Sequence, residues 1–222
     1  MGTSSNAIEI SVGTVAAKSV TLGTGIFLNE FNGLTVDSVA GVTVNRVDTV
    51  GGSATSLDVA GFTLGEEAAL SGITSGTDGA VVLRSGTGAG VGVTSTLVIS
   101  SAITAAGAGD VLIENAHNDT ASTVTINAAI NAGSGNVTVL SRNDQIYGAG
   151  GDITTTGGTI DIQASLALAD ITMDAGTVFE TNAGNIRVAA ASTGNITLGL
   201  LDARSTTDRS NVATTNQSSW GS

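Results

Sequence analysis

Between Gly109 and Ala203 the apolar and polar positions alternate in short bursts, and the bursts recur. Four share one form: a glycine, a short polar residue, then an apolar–x–apolar run. They are Gly109-Asp110-Val111-Leu112-Ile113, Gly135-Asn136-Val137-Thr138-Val139, Gly158-Thr159-Ile160-Asp161-Ile162 and Gly184-Asn185-Ile186-Arg187-Val188. Counted glycine to glycine, the steps are 26, 23 and 26 residues. Alternation with period two marks a strand with one buried face. A fixed period of this length marks stacked units that share a core. The pattern predicts a β-solenoid.

Similar runs extend the pattern towards the start of the chain. Ala7-Ile8-Glu9-Ile10, Ser19-Val20-Thr21-Leu22, Gly33-Leu34-Thr35-Val36, Gly41-Val42-Thr43-Val44, Gly79-Ala80-Val81-Val82-Leu83 and Thr96-Leu97-Val98-Ile99 all read as short strands. Each repeat after Gly109 carries a second strand: Thr123–Ile126, Asp152–Thr154, Asp170–Met173 and Asn195–Leu198. The stretch from Gly51 to Gly79 is less regular, and Leu64 to Leu70 reads as one helical turn. Hairpins of a sandwich recur every 8–12 residues or so, so the longer step favours parallel coils. At about 4.8 Å per coil, nine coils of about 25 residues make a rod of roughly 40 Å.

Stacking assigns each position a neighbour. Val111, Val137, Ile160 and Ile186 form one inward column, and Ile113, Val139, Ile162 and Val188 another. All eight are β-branched, which suits pleated packing on a like neighbour. Leu112, Thr138, Asp161 and Arg187 face out, with Asp161 and Arg187 placed for an ion pair between coils. The leading glycines suit corners that need positive φ or close backbone approach. Proline, which would remove a ladder donor, is absent from the chain.

Composition sharpens this picture. There are 31 glycines and no cysteines, and the aromatic residues are four Phe, one Tyr and one Trp, too few to fill a thick core. The 41% apolar content argues against disorder. A net charge of −12 opposes binding to nucleic acid and anionic lipid. The seven basic residues are scattered. No apolar run approaches the roughly 20 residues of a membrane span, and no basic run with an apolar follower marks a leader near Met1.

The expected organisation is one solenoid over residues 1–222, with less regular coils over 1–78 and regular coils over 79–202. The polar tail, 203–222, leads towards a further coil. No cap is evident at either end, so the chain reads as an uncapped fragment of a longer protein.

Gly176-Thr177-Val178, Gly184-Asn185-Ile186-Arg187-Val188 and Gly194-Asn195-Ile196-Thr197-Leu198-Gly199 resemble repeats of the filamentous-haemagglutinin-like bacterial exoproteins. The resemblance covers roughly Gly79 to Ser222. It implies a right-handed parallel β-helix, secreted to the cell surface, that serves as a stalk or adhesive filament. The family's export domain carries Asn-Pro motifs, and this chain has no proline. The resemblance therefore implies repeat shaft, and it transfers no functional residue.

Candidate chemistry is sparse. Gly148-Ala149-Gly150-Gly151-Asp152-Ile153 is similar to part of a calcium-binding nonapeptide loop, but calcium needs such loops in tandem to supply six or more oxygens. Read alone it is a flexible corner. Asp144, Asp152, Asp161, Asp170 and Asp174 are dense enough to suggest sugar cleavage if they share a groove. Asp152 and Asp170 precede strands, where aspartate caps its own turn. His117, the only histidine, sits in the polar run Asn115–Asp119 and reads as a solvated loop residue. Tyr147 and Trp220 read as corner packing. Gly86-Thr87-Gly88-Ala89-Gly90 lacks the Lys-Ser/Thr ending of a phosphate loop. An ice-binding face needs a regular outward threonine array, which Leu112, Asp161 and Arg187 interrupt.

The expectation is therefore an extracellular structural and adhesive segment without catalysis or cofactor. Its partners would be surface glycans or proteins of host or neighbouring cells and further repeats of its own chain, with neither nucleic acid nor membrane insertion. A carbohydrate-active β-helix is the alternative, and a calcium-binding repeat the third reading.

Overall fold

The computed structural model describes residues 1–41, 46–47, 51–54, 58–59, 62–63, 69–86, 94–119 and 121–206. Among these, every named element is a strand, and three parallel seven-stranded sheets form the faces of a right-handed β-helix. The first face stacks Ile8–Ile10, Ile26–Glu30, Val81–Ser85, Val111–Asn115, Val137–Ser141, Ile160–Ala164 and Ile186–Ala190, which define coils 1 to 7. In the same order, the second face stacks Thr14–Val15, Leu34–Val36, Leu97–Ile99, Val124–Ile126, Gln145–Tyr147, Ile171–Met173 and Ile196–Thr197. The third stacks Ala17–Lys18, Ile73–Ser75, Ile103–Ala105, Ile130–Asn131, Ile153–Thr154, Val178–Glu180 and Leu200–Asp202.

The described coils number seven rather than nine, giving a stack of about 29 Å at the usual strand spacing. Much of the difference lies in coil 2, where residues 37–72 leave the helix between its second and third faces. Among the described residues of this excursion are three antiparallel pairs: Ser38–Val39 with Leu70–Ser71, Arg46–Val47 with Ser53–Ala54, and Asp58–Val59 with Phe62–Thr63. Its neck is tied by hydroxyls. Ser38 Oγ donates to Ser71 Oγ at 2.9 Å, Ser71 to Ser101 at 3.1 Å, and Ser101 to Asp37 Oδ1 at 2.9 Å.

The proposed columns are present. Val81, Val111, Val137, Ile160 and Ile186 are in register, as are Leu83, Ile113, Val139, Ile162 and Val188. Ile26 and Leu28 extend both columns to coil 2. From Val81 to Ile160 the side chains are almost fully buried, each contributing roughly 1.5–3 kcal/mol. Ile186 and Val188, in coil 7, are only partly buried.

Three strand assignments change. Ser19–Leu22 is the turn between coils 1 and 2, with Val20 79% and Leu22 71% exposed. The second-strand set mixes two faces, since Asp152 leads into the third face and the other three into the second. In coil 5 the second-face strand is Gln145–Tyr147, hidden because Gln145 occupies an inward position aligned with Val124 and Ile171. Val42–Val44, Leu64–Ala68, Thr87–Gly90 and Trp220 lie outside the described residues, as does the tail beyond Thr206. Leu70 opens a strand.

Close approach explains the leading glycines. A Cβ on Gly109, Gly135, Gly158 or Gly184 would come within 3.0 Å of the carbonyl oxygen of the glycine one coil before it. None of these four has positive φ. The column is a groove in which backbone packs on backbone.

Candidate functional site

The aspartates do not share a groove. Asp161 lies on the first face, Asp144 and Asp170 lead into second-face strands, and Asp152 leads into the third face. Asp152 and Asp170 therefore sit at different corners. Nor do they cap their own turns, because each carboxylate reaches one coil onward. Asp152 Oδ1 accepts the Val178 N–H at 2.8 Å, and Asp144 Oδ1 accepts that of Asp170 at 2.9 Å. Asp170 Oδ1 accepts both the main-chain N–H and the side-chain amide of Asn195, at 2.7 and 3.2 Å.

The same bond recurs beyond that set. Asp78 Oδ1 accepts the Ala108 N–H at 2.7 Å, and Asn136 Oδ1 that of Thr159 at 2.9 Å. Asp110 Oδ1 accepts from Asn136. In each case an N–H that points back along the axis meets an outward carboxylate or amide of the preceding coil. Such bonds align coils at the points where the strand ladder begins. Asp174 alone of the five caps its own turn, accepting the Gly176 N–H at 3.0 Å.

Two cross-coil ion pairs lie on the first face. Arg187 grips Asp161 through two bonds of 2.7 and 2.6 Å, as the register places them, and Arg84 meets Glu114 at 2.6 Å. Hydrogen bonding to Arg187 holds the Asp161 carboxyl below its ordinary value, against a smaller opposing effect of burial. The bond to Glu114 raises the Arg84 guanidinium.

His117 is a buried corner residue, 6% exposed, rather than a solvated one. Its Nδ1 accepts the Asp119 N–H at 3.1 Å and lies 3.1 Å from Ser122 Oγ. Asn143 Nδ2 donates to the carbonyls of His117 and Asp119, at 3.2 and 2.6 Å, and locks the next coil onto this corner. The ring is thus a hydrogen-bonding strut. Tyr147 is also interior. It packs edge-on against Phe179 with centroids 4.9 Å apart, and its hydroxyl donates to Gln145 Oε1 at 2.6 Å. Burial raises the Tyr147 phenol well above its ordinary value.

Gly148 to Gly151 forms the corner between the second and third faces of coil 5, closed by a 2.8 Å bond from Gly151 N–H to the Gly148 carbonyl. Among the described residues, no group of three or more His, Cys, Asp or Glu side chains is placed to hold a metal ion.

On the second face, Thr14, Thr35, Val98, Thr125, Ile146, Thr172 and Thr197 make one outward row through all seven coils. This uncharged row differs from the interrupted first face on which the sequence reading concentrated.

Two depressions lie at corners between the first and second faces. One, of about 270 Å³, spans coils 4 to 6 and includes Glu114, Arg142 and Gln163. The other, of about 400 Å³, spans coils 1 to 3 and is lined by Ser11, Val12, Gly13, Asn32, Gly33, Leu34, Thr35, Thr94 and Thr96. Among the described residues, none that lines the larger cleft is charged. Sequence reading missed it because its residues come from turns of three coils. The only local signals were Asn32-Gly33 and Thr94-Ser95-Thr96, each just ahead of a strand.

No family model, curated protein or solved structure matches this chain.

Proposed function

We propose that the chain is a structural and adhesive repeat segment of a large secreted bacterial surface protein, acting without catalysis. The observation that carries this reading is the continuous prism of three seven-stranded parallel sheets. Such a body projects and presents surface along its length. Its outward rows offer hydroxyl and amide groups to glycans or proteins of host or neighbouring cells.

Further repeats of the same chain stack on coil 7 in this reading. Ile196, in register with Ile171, is 42% exposed, whereas Ile171 beneath it is 0% exposed, and the neighbouring Leu198 is 48% exposed. A further coil would bury them. The sugar-cleaving alternative requires Asp144, Asp152 and Asp161 on one groove, and their placement on three faces gives it no support. The commitment of Asp152 to Val178 likewise gives no support to a calcium loop.

Adhesion of beads coated with the full chain to intact bacterial and epithelial cells tests the proposal. Retention above albumin-coated beads under flow is the expected result. Retention equal to albumin on every surface, or release of reducing sugar from the cell-wall material, would overturn it.

A further inference from the structure

We propose that the cleft across coils 1 to 3 is a binding site for a neutral sugar unit at the exposed end of a glycan. This deepens the adhesive reading and rests on it for biological context, although binding at the cleft is separately measurable.

The walls are built rather than incidental. Glu30 is 0% exposed, and its carboxylate fastens two adjacent turns that line the cleft. Oε2 accepts the Val12 N–H at 3.1 Å and Oε1 accepts the Asn32 N–H at 3.4 Å. From the third coil, Ser85 Oγ donates to the Asn32 carbonyl at 2.8 Å, and Ser95 Oγ donates to the same oxygen. The backbone of Asn32 is thus held by neighbours on three sides. A fixed wall lowers the ordering cost of binding.

The polar side chains of the lining residues are differently disposed. The hydroxyls of Ser11, Thr35, Thr94 and Thr96 and the side-chain amide of Asn32 make no hydrogen bond within the described residues. Three hydroxyls at other corners of the helix are used by the fold. Thr155 Oγ1 accepts the N–H of Gly158 at 2.6 Å, Thr177 Oγ1 donates to Gly148 at 2.8 Å and Thr181 Oγ1 to Gly184 at 2.8 Å. The cleft therefore gathers donors and acceptors that folding leaves unused.

Their chemistry selects the ligand. Hydroxyl and amide groups donate and accept at once, as sugar hydroxyls do. Without a Lys, Arg or His among the described lining residues, an anionic sugar gains no ion pair there, and without Asp or Glu among them a cation gains none. The lining is far more polar than the mainly apolar pockets that take drug-like molecules. The turn that supplies Asn32 also carries Phe31, 55% exposed. A volume of about 400 Å³, open to solvent, suits one or two sugar rings with the remaining glycan leaving outward.

Gly13 gives a clean way to close the site. It lines the cleft, its φ is not in the left-handed region, and a Cβ there meets nothing within 4 Å. Gly13→Leu sets a bulky apolar side chain on the lining at a position where the first side-chain carbon is unobstructed, and Thr35→Val removes one hydroxyl at nearly constant shape.

The experiment is amide-resolved NMR titration of the full chain with lactose, cellobiose, maltose and chitobiose, each to about 10 mM, a range that detects millimolar binding. A sulfated disaccharide serves as the anionic comparison. The expected result is saturable shifts at residues 11–13, 32–35 and 94–96 with at least one neutral disaccharide. Gly13→Leu should abolish them, and Thr35→Val should weaken binding about three- to tenfold, the effect of one hydrogen bond. Both variants should melt as the parent does. Absence of shifts with all four sugars, shifts that survive Gly13→Leu, or preference for the sulfated sugar would each overturn the assignment. If the titration shows no sugar binding at the cleft while the parent beads adhere to cells, the cleft proposal fails and the adhesive reading stands. If the parent beads fail to adhere, the adhesive reading fails whatever the sugar titration gives.

Discussion

Asp110 and Asn136 occupy equivalent positions one coil apart, and the carboxylate of the first accepts both the main-chain N–H and the side-chain amide of the second, at 2.7 and 3.0 Å. The short polar residues after Gly109 and Gly135 thus have a stacking role, since Asn136 in turn accepts the Thr159 N–H.

Asp110→Ala should leave the Asn136 N–H to water and cost about 1–2 kcal/mol in denaturant unfolding, as for a bond to a charged acceptor. Asp110→Asn should recover roughly half of that. An unchanged midpoint for Asp110→Ala would mean the bond adds nothing over solvation.

Gly135→Ala should cost about 1–3 kcal/mol, because its methyl group meets the Gly109 carbonyl and the coils must part. Gly13→Ala is the control, since its methyl meets nothing within 4 Å. Equal stability of the two variants would remove close approach as the reason for the column.

The Asp161 carboxyl should titrate below its ordinary value of 3.8, as read from its side-chain carbon shift. Its folded value is lowered, so its contribution to stability is complete above the unfolded value and is lost as pH falls through the folded one. Arg187 stays charged throughout that window. Arg187→Gln should move the titration upward, and a midpoint unaffected by this change would show that Arg187 does not hold the proton off.

Replacing residues 38–71 by a single serine should preserve the coil stack. Asp37-Ser-Gly72 would then be a three-residue corner, the length that Ser100–Ala102 and Asn127–Ala129 use in coils 3 and 4. Circular dichroism and cooperative unfolding would check this, and loss of β-signal would make the excursion part of the folding core.

The His117 ring should carry its proton on Nε2, because Nδ1 accepts the Asp119 N–H. Long-range nitrogen–proton correlation spectra distinguish the tautomers. A protonated Nδ1 in the neutral ring would contradict the corner geometry.

The first face was legible because its five-residue strands, such as Val111–Asn115, alternate long enough to register as a period. The third was not, since Ala17–Lys18 and Ile130–Asn131 are two-residue strands indistinguishable from turns until neighbouring coils align them, and Asp152–Thr154, though legible as a strand, carried no sign of which face it joins. Gln145 concealed its strand by placing a polar group inside, where Ser141 and Tyr147 satisfy it. The burial of His117 was invisible for a like reason. Its partners Ser122 and Asn143 are polar, so the segment looked solvated. The excursion imitated helix coils because short alternating runs look the same in parallel and antiparallel pairing. The cleft combines turns of coils 1, 2 and 3, separated by as many as 85 residues between Ser11 and Thr96, and no local window spans that distance.

The aspartate bonds that join strand starts all run the same way, from a side chain to the backbone of the coil that follows. A newly synthesised coil therefore meets acceptors already in place on its predecessor, whereas a coil made first has nothing comparable waiting for it. The stack has an arrow. Assembly from the amino-terminal end becomes a templated addition, and a ribosome or an export pore that releases the chain in that order feeds it to its own growing edge.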